Sequence, residues 1–303
     1  MHRLPNSSRR AWSGTALVLS LVLSLLGAMP LALGAQTRNF LWKASSRQGT
    51  VYLVGSVHLL AKEYYPLNPA FEEALAASDL LVEELDLGEM LAPESQMALL
   101  TRGLLPAGQS LDAVVSPATL QVVAERVAAL GLPLEPLKRF KPWSLALTLL
   151  GLEWQKAGFD AELGLDKHFY DRARADGKTV QGLETVAFQI SRFDDMSMAD
   201  QDRLLLQSLK ELDTEVASVT KLANAWKAGD TATVERVVLQ DMKSDPLLYR
   251  RLVVERNQTW LPKIEALFAR PKPAVVVVGA AHLVGPDGIL AALRAKGYTL
   301  VQQ

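Results

Sequence analysis

Two histidines stand in the same local setting. His58 closes Gly55-Ser56-Val57-His58-Leu59, and His282 closes Gly279-Ala280-Ala281-His282-Leu283. Each motif follows an apolar run, Val51-Tyr52-Leu53-Val54 and Ala274-Val275-Val276-Val277-Val278. The chain has four histidines, of which His2 lies before an uncharged leader and His168 lies in an amphipathic segment. Neutral imidazole suits a divalent metal such as Mn, Fe, Co or Zn, and also general-base work. With carboxylates beside it, such a metal activates water and polarises a carbonyl, which is hydrolytic chemistry.

Carboxylates occur at matching addresses. Glu84 ends the run Leu80-Leu81-Val82, and Glu184 follows Thr179–Leu183. Side chains converge at the carboxyl ends of parallel strands, and His58, Glu84, Glu184 and His282 all take that place. Strand alternation sends Glu83 and Glu84 to opposite faces, so Glu84 is read as facing the site, with Asp86 on its side as a supporting or alternative ligand. The predicted metal set is His58, His282 and Glu84. Glu184 divides between the site and a helix-capping role. On spacing alone His168 reads as a packing or solvent-facing residue, and Arg256 as a salt-bridged surface residue late on a helix.

The elements that must position these residues can be read from their patterns. Phe40–Ala44 and Thr50–Val54, separated by a polar linker with Gly49, predict a β-hairpin. A helix over Asn68–Ala77 and a strand over Leu80–Asp86 complete a strand–helix–strand unit. The C-terminal strand, a helix over Asp287–Lys296 ended by Gly297, and a strand over Tyr298–Val301 repeat the order. Most of Ala92–Phe268 has helical spacing, interrupted by a strand over Thr179–Leu183 after the helix Leu165–Asp176. The expected fold is therefore α/β: two related halves forming a mainly parallel core sheet, with a helical insertion over about 92–268. At Gly55 and at Gly279 the backbone is expected to turn sharply and to lie close to its neighbours.

Composition narrows the function. With no cysteine, disulfide frameworks, thiolate metal sites and a Cys nucleophile are excluded. A net charge of −1 offers no field for phosphate backbones, so no nucleic-acid partner is expected. Arg3, Arg9 and Arg10 precede an uncharged stretch from Ala11 to Thr37, interrupted by Pro30 and the small residues Ala32, Gly34 and Ala35. That order predicts a signal peptide over residues 1–35 and a periplasmic or secreted domain over 36–303, touching a membrane only through the leader if it is retained. Neither a His-Glu-x-x-His helix nor a Gly-x-Ser-x-Gly elbow is present.

Taken in order, these pieces resemble the TraB/PrgY/GumN family, within it the GumN-like bacterial branch. The matching residues are Leu41-Trp42-Lys43, Val51 through Leu59, Glu84-Leu85-Asp86, Gly164-Leu165-Asp166, Gly177-Lys178 with Leu183-Glu184-Thr185, Ala225 through Asp230, Arg256-Asn257 and Gly279 through Gly285. The family groups with the Tiki proteins, which are metal-dependent proteases. The resemblance implies that His58 and His282 are the paired motif histidines, that Glu84 is the acidic residue after the second strand, and that Arg256-Asn257 match a family pair. It raises Arg256 from a surface residue to a site residue.

The resulting expectation is a metal-dependent, peptidase-like hydrolase acting on a peptide or other small extracytoplasmic substrate. Two other classes stay open. One is a non-catalytic protein that binds a peptide, haem or metal in the same cleft. The other is a metal-free, esterase-like hydrolase with His as base and Glu as its orienting partner.

Overall fold

A computed structural model describes residues 38–303 of the chain. The leader and its expected cleavage point lie outside the described residues. Among the described residues no helix is long and apolar enough to cross a membrane.

Six strands form one sheet: β1 (Leu41–Ser45), β2 (Thr50–Ser56), β3 (Leu80–Glu83), β4 (Thr179–Gly182), β5 (Ala274–Gly279) and β6 (Thr299–Gln302). Their order is β4-β3-β5-β2-β1-β6. β5 is parallel to β2 and β3, and β3 is parallel to β4; β1 is antiparallel to β2 and to β6. Every residue of β5 is buried, as its unbroken apolarity requires of a central strand. The predicted α/β class and mainly parallel sheet are both present.

Helix α1 (Pro69–Ala76) joins β2 to β3, started by Asn68, whose side chain accepts from the Ala70 N–H, and by Pro69 in the first turn. After β3 come α2 (Leu87–Met90), α3 (Pro93–Gly103), α4 (Leu111–Val114), α5 (Pro117–Ala129), α6 (Leu134–Leu137) and α7 (Pro142–Lys156). Helix α8 (Leu165–Ala175) leads into β4. Then follow α9 (Val186–Asp194), α10 (Met198–Lys227), α11 (Thr231–Ser244) and α12 (Pro246–Tyr249). A π-helical turn, Arg250–Val254, opens into α13 (Glu255–Leu267), and α14 (Ala280–Leu283) and α15 (Ile289–Ala295) connect β5 to β6.

The two predicted halves, β2-α1-β3 and β5-α14-α15-β6, interleave. β5 enters between β2 and β3, so the two histidine-bearing strands lie side by side. Their register pairs Val54 with Val277 and Ser56 with Gly279, which offsets the two motifs by one residue. The stretch 92–268 likewise divides. Helix α8 packs on β3, β4 and β5, and Trp260 and Ile264 of α13 join the main core, whereas Leu111, Val123, Val127, Leu145, Leu149, Leu205 and Leu209 form a separate apolar cluster. Helix α10, 30 residues long, links the two clusters. Near its end, the Trp226 indole donates to the Gly55 carbonyl at 2.7 Å, fixing the end of β2.

Gly164, just before α8, is dictated by close approach. A methyl there would stand 2.0 Å from the His58 carbonyl oxygen, and the next amide, Leu165, donates to the Val57 carbonyl at 3.1 Å. Substitution of Gly164 by Ala must therefore push α8 away from the His58 loop. The expected loss is about 1–3 kcal/mol in urea denaturation; an unchanged midpoint would mean that the loop yields freely.

Candidate active site

The site is built where β2, β3, β4 and β5 end. Glu84 follows β3, Glu184 follows β4 by two residues, His282 lies on α14 directly after β5, and His58 lies two residues beyond β2. Arg256, at the start of α13, joins them. Its Nη2 donates to Glu84 Oε2 at 2.5 Å and to Glu184 Oε1 at 2.8 Å, and its Nη1 donates to His282 Nε2 at 3.1 Å. All three partners and the arginine are buried. The default surface reading of Arg256 is thus overturned, because two buried carboxylates need a cation and this guanidinium is the group that reaches both.

Residues not singled out on spacing complete the site. Trp260, one turn after Arg256, lies under the guanidinium at 4.5 Å and donates its indole N–H to Glu184 Oε2 at 2.9 Å. Gln189 on α9 donates to Glu184 Oε1 at 3.2 Å and approaches Glu84 Oε2 at 3.4 Å. Asn257 accepts from His282 Nδ1 at 2.8 Å, while its own amide donates to the carbonyls of His282 and Asp287. Asp166, in the first turn of α8, accepts from His58 Nδ1 at 2.8 Å with one oxygen and from the Ser56 hydroxyl at 2.9 Å with the other. The signals for Asp166 and Asn257 were present only as members of the ordered motif set.

These bonds define the two imidazoles. His282 donates from Nδ1 to the Asn257 amide oxygen, so its Nε2 keeps the lone pair that faces Arg256. Burial, opposed by Glu84, lowers its pKa to about 3 and keeps it neutral. His58 is the opposite case: the Asp166 carboxylate beside it raises it to about 9. The side chain of His58 is 56% exposed, so the pair carries the small stability of a solvent-screened contact. Burial raises Glu84, but the Arg256 guanidinium and the histidine rings outweigh it, and its carboxyl is held below the ordinary range. Glu84 Oε1 also accepts from the Gly279 amide at 2.8 Å and stands 3.8 Å from His282 Nε2.

The glycines of the motifs lie close to their neighbours, as expected, and the chain passes from β5 straight into α14 at Gly279. Neither Gly55 nor Gly279 has a positive φ. A methyl on Gly55 would strike the Phe40 ring at 2.3 Å. On Gly279 it would stand 3.0 Å from His58 Nε2 and 3.2 Å from Glu84 Oε1, which places His58 Nε2 and Glu84 over the same backbone atom. The leucines that follow pack inward, Leu283 fully and Leu59 partly.

Two other expectations need adjustment and one holds. Asp86 caps α2, accepting from the Gly88 amide at 2.8 Å, and makes no contact with the histidines. His168 bonds Glu72 at 2.7 Å and packs on Tyr65, the structural role expected of it. Glu83 is not turned away from the site, because β3 ends at it and strand alternation stops there. With His58, Glu84, Asp166 and Gln189 it lines a cleft of about 310 Å³, to which Leu85, Leu87, Met90 and Leu91 also contribute. His282 does not line that cleft.

Glu83 gives a pH-dependent prediction. Burial, with Asp166 and Asp86 nearby, raises its pKa to about 9, against the lowering effect of the Leu87 amide. Its folded pKa lies above the unfolded one, so its contribution is fully present below the ordinary carboxylate range and is lost as pH climbs toward about 9. Glu83→Gln should match the parent in melting temperature at pH 4 and exceed it at pH 8. The reverse order would contradict a protonated Glu83.

A family model matches residues 40–302, which takes in every strand and every site residue above. The chain belongs to the TraB/PrgY/gumN family. Within reach of this TraB/PrgY/gumN chain, an uncharacterized protein, YbaP, of Escherichia coli (strain K12) is 26% identical over 80% of this chain and 87% of its own length. The YbaP protein of Shigella flexneri matches to the same extent. No solved structure matches.

Proposed function

We propose that this TraB/PrgY/gumN-family chain is an extracytoplasmic, metal-dependent hydrolase of peptide-like bonds, holding a divalent metal (Mn, Co, Fe or Zn) with His58, His282 and Glu84. The observation that carries it is the way the histidines are held. Each Nδ1 is engaged by a fixed oxygen, Asp166 for His58 and Asn257 for His282, leaving each Nε2 on the Glu84 side. Fixing the distal ring nitrogen is how proteins orient a metal-ligating histidine.

The donor chemistry fits a divalent ion. Asp166 favours a protonated His58, so metal binding must displace that proton; with both imidazoles then neutral, Glu84, Glu184 and Asp166 carry three negative charges against the one positive charge of Arg256, an excess that a divalent ion balances. Among the described residues no three His, Cys, Asp or Glu side chains converge at ligand spacing, and Arg256 holds Glu84 and His282 in this arrangement. When bound, the ion supplies polarisation of a carbonyl and activation of water at neutral pH. The chain supplies the rest: Asp166 and Asn257 orient the rings, and Arg256 holds Glu84 and Glu184 in place. Extracytoplasmic placement is supported by the arginine-led, uncharged leader. Sequencing the mature N-terminus tests it.

One observation favours the metal-free alternative, since Arg256 already provides a cation between Glu84, Glu184 and His282. In that route His58 is the base, oriented by Asp166 rather than by a glutamate, and because Asp166 raises its pKa to about 9 the base form grows only as pH rises toward that value. Exhaustive chelation separates the two. Loss of turnover, restored by Mn²⁺ or Co²⁺, is expected; full activity after chelation would overturn the metal. Asn257→Ala should weaken metal binding about 10–100-fold through His282 alone, measured by competition with a metal indicator.

A further inference from the structure

We infer that Arg256 is an internal competitor for the metal: its guanidinium takes the one free lone pair of His282, and loading exchanges that hydrogen bond for the ion. A neutral imidazole carries its hydrogen on one ring nitrogen and a single lone pair on the other. His282 donates from Nδ1 to Asn257 Oδ1 at 2.8 Å, so only Nε2 can meet a metal. Arg256 Nη1 stands on that nitrogen at 3.1 Å, and both side chains are buried. One lone pair cannot serve an N–H donor and an ion together.

The guanidinium can give up this bond and keep its charge partners. Its Nε reaches both oxygens of Glu184, at 3.1 and 3.2 Å, and its Nη2 reaches Glu184 Oε1 at 2.8 Å. Nη1 has a second acceptor, the Leu252 carbonyl at 3.4 Å, within the π-helical turn that precedes α13. Trp260 lies under the guanidinium and is itself tied to Glu184, so the arginine keeps a platform beside that carboxylate. Glu84 is not closed off in the same way. Arg256 holds its Oε2, whereas Oε1 lies toward the histidines, 3.8 Å from His282 Nε2. Of Glu84 and His282, it is His282 that the arginine withholds. Metal affinity is then set by an exchange between two cations rather than by the donors alone. The inference rests on the reading of His58, His282 and Glu84 as metal ligands and concerns how the ion gains His282.

Zn²⁺ binding to the purified mature protein, read by competition with a metal indicator and without turnover, tests it. Arg256→Lys keeps the positive charge, but one ammonium cannot serve Glu84, Glu184 and His282 together, so His282 is released. The folded variant should bind Zn²⁺ about tenfold more tightly than the parent, the equivalent of one hydrogen bond. Equal or weaker binding would overturn the inference and leave the metal reading in place. Zn²⁺ held by the variant but not by the parent would support the inference and count against a resident metal, whereas failure of both to bind would overturn both readings. A second measurement needs no variant. In the parent carrying isotope-labelled arginine, Zn²⁺ should shift the Arg256 Nη resonances and leave Nε, held by Glu184, nearly in place. Unmoved Nη resonances in the Zn²⁺-loaded parent would overturn the inference.

Discussion

Replacing Arg256 by Met should cost about 3–5 kcal/mol of stability in urea denaturation at pH 7. Arg256, Glu84 and Glu184 are each below a tenth exposed, and the one guanidinium serves both carboxylates. Methionine fills much of the volume but leaves two buried negative charges facing each other. The size of the effect follows from burial: Lys167 and Asp171 form a contact just as short at the surface, and pairs of that kind contribute at most about 1 kcal/mol. Lysine should not rescue, because a point charge cannot donate to Glu84, Glu184 and His282 together. Much of the loss should be regained in the triple variant Arg256→Met, Glu84→Gln, Glu184→Gln, in which no unpaired charge remains. A single-variant loss below about 1 kcal/mol would mean that water reaches the triad.

The two histidine variants should agree in function and differ in stability. His58→Ala and His282→Ala are each expected to lower turnover by at least about a hundredfold, since removal of a ligand should exceed the 10–100-fold effect of its supporting contacts. His282, however, is 5% exposed, with its ring 4.4 Å from that of Trp260. Its loss leaves a cavity and unpairs both Asn257 Oδ1 and Arg256 Nη1, so His282→Ala should also be destabilised by about 2–3 kcal/mol. His58, more than half exposed, should leave the melting temperature nearly unchanged. His58→Ala is therefore the variant in which lost activity cannot be ascribed to lost fold. Equal destabilisation of both would contradict the exposed position of His58.

What could be read from the sequence follows the range of the physics involved. Apolar runs and their breakers marked β2, β3, β4 and β5, because strand formation and capping are decided within a few residues. Strand order was not legible: periodicity marks a strand but carries no partner, so the interleaving that sets β5 between β2 and β3 appears only in three dimensions. The same limit explains Arg256. Its partners are 72 and 172 residues away in the chain, and nothing near Arg256 distinguishes a buried arginine from a surface one. Glu83 was misread for a local reason, since alternation holds only while the strand continues and β3 stops at that residue. Asp166 resembles an ordinary acidic residue in a first helical turn until the Gly164 contact brings α8 against His58.

His58 and His282, with Glu84, are proposed to hold a divalent metal. Elemental analysis of the purified mature protein, beside His58→Ala and His282→Ala, addresses it without knowledge of the substrate. One equivalent of Mn, Co, Fe or Zn in the parent protein, and well under a tenth of that in each folded variant, is the predicted result. A metal content that is the same in all three proteins, or a parent that is fully active with none, would contradict it.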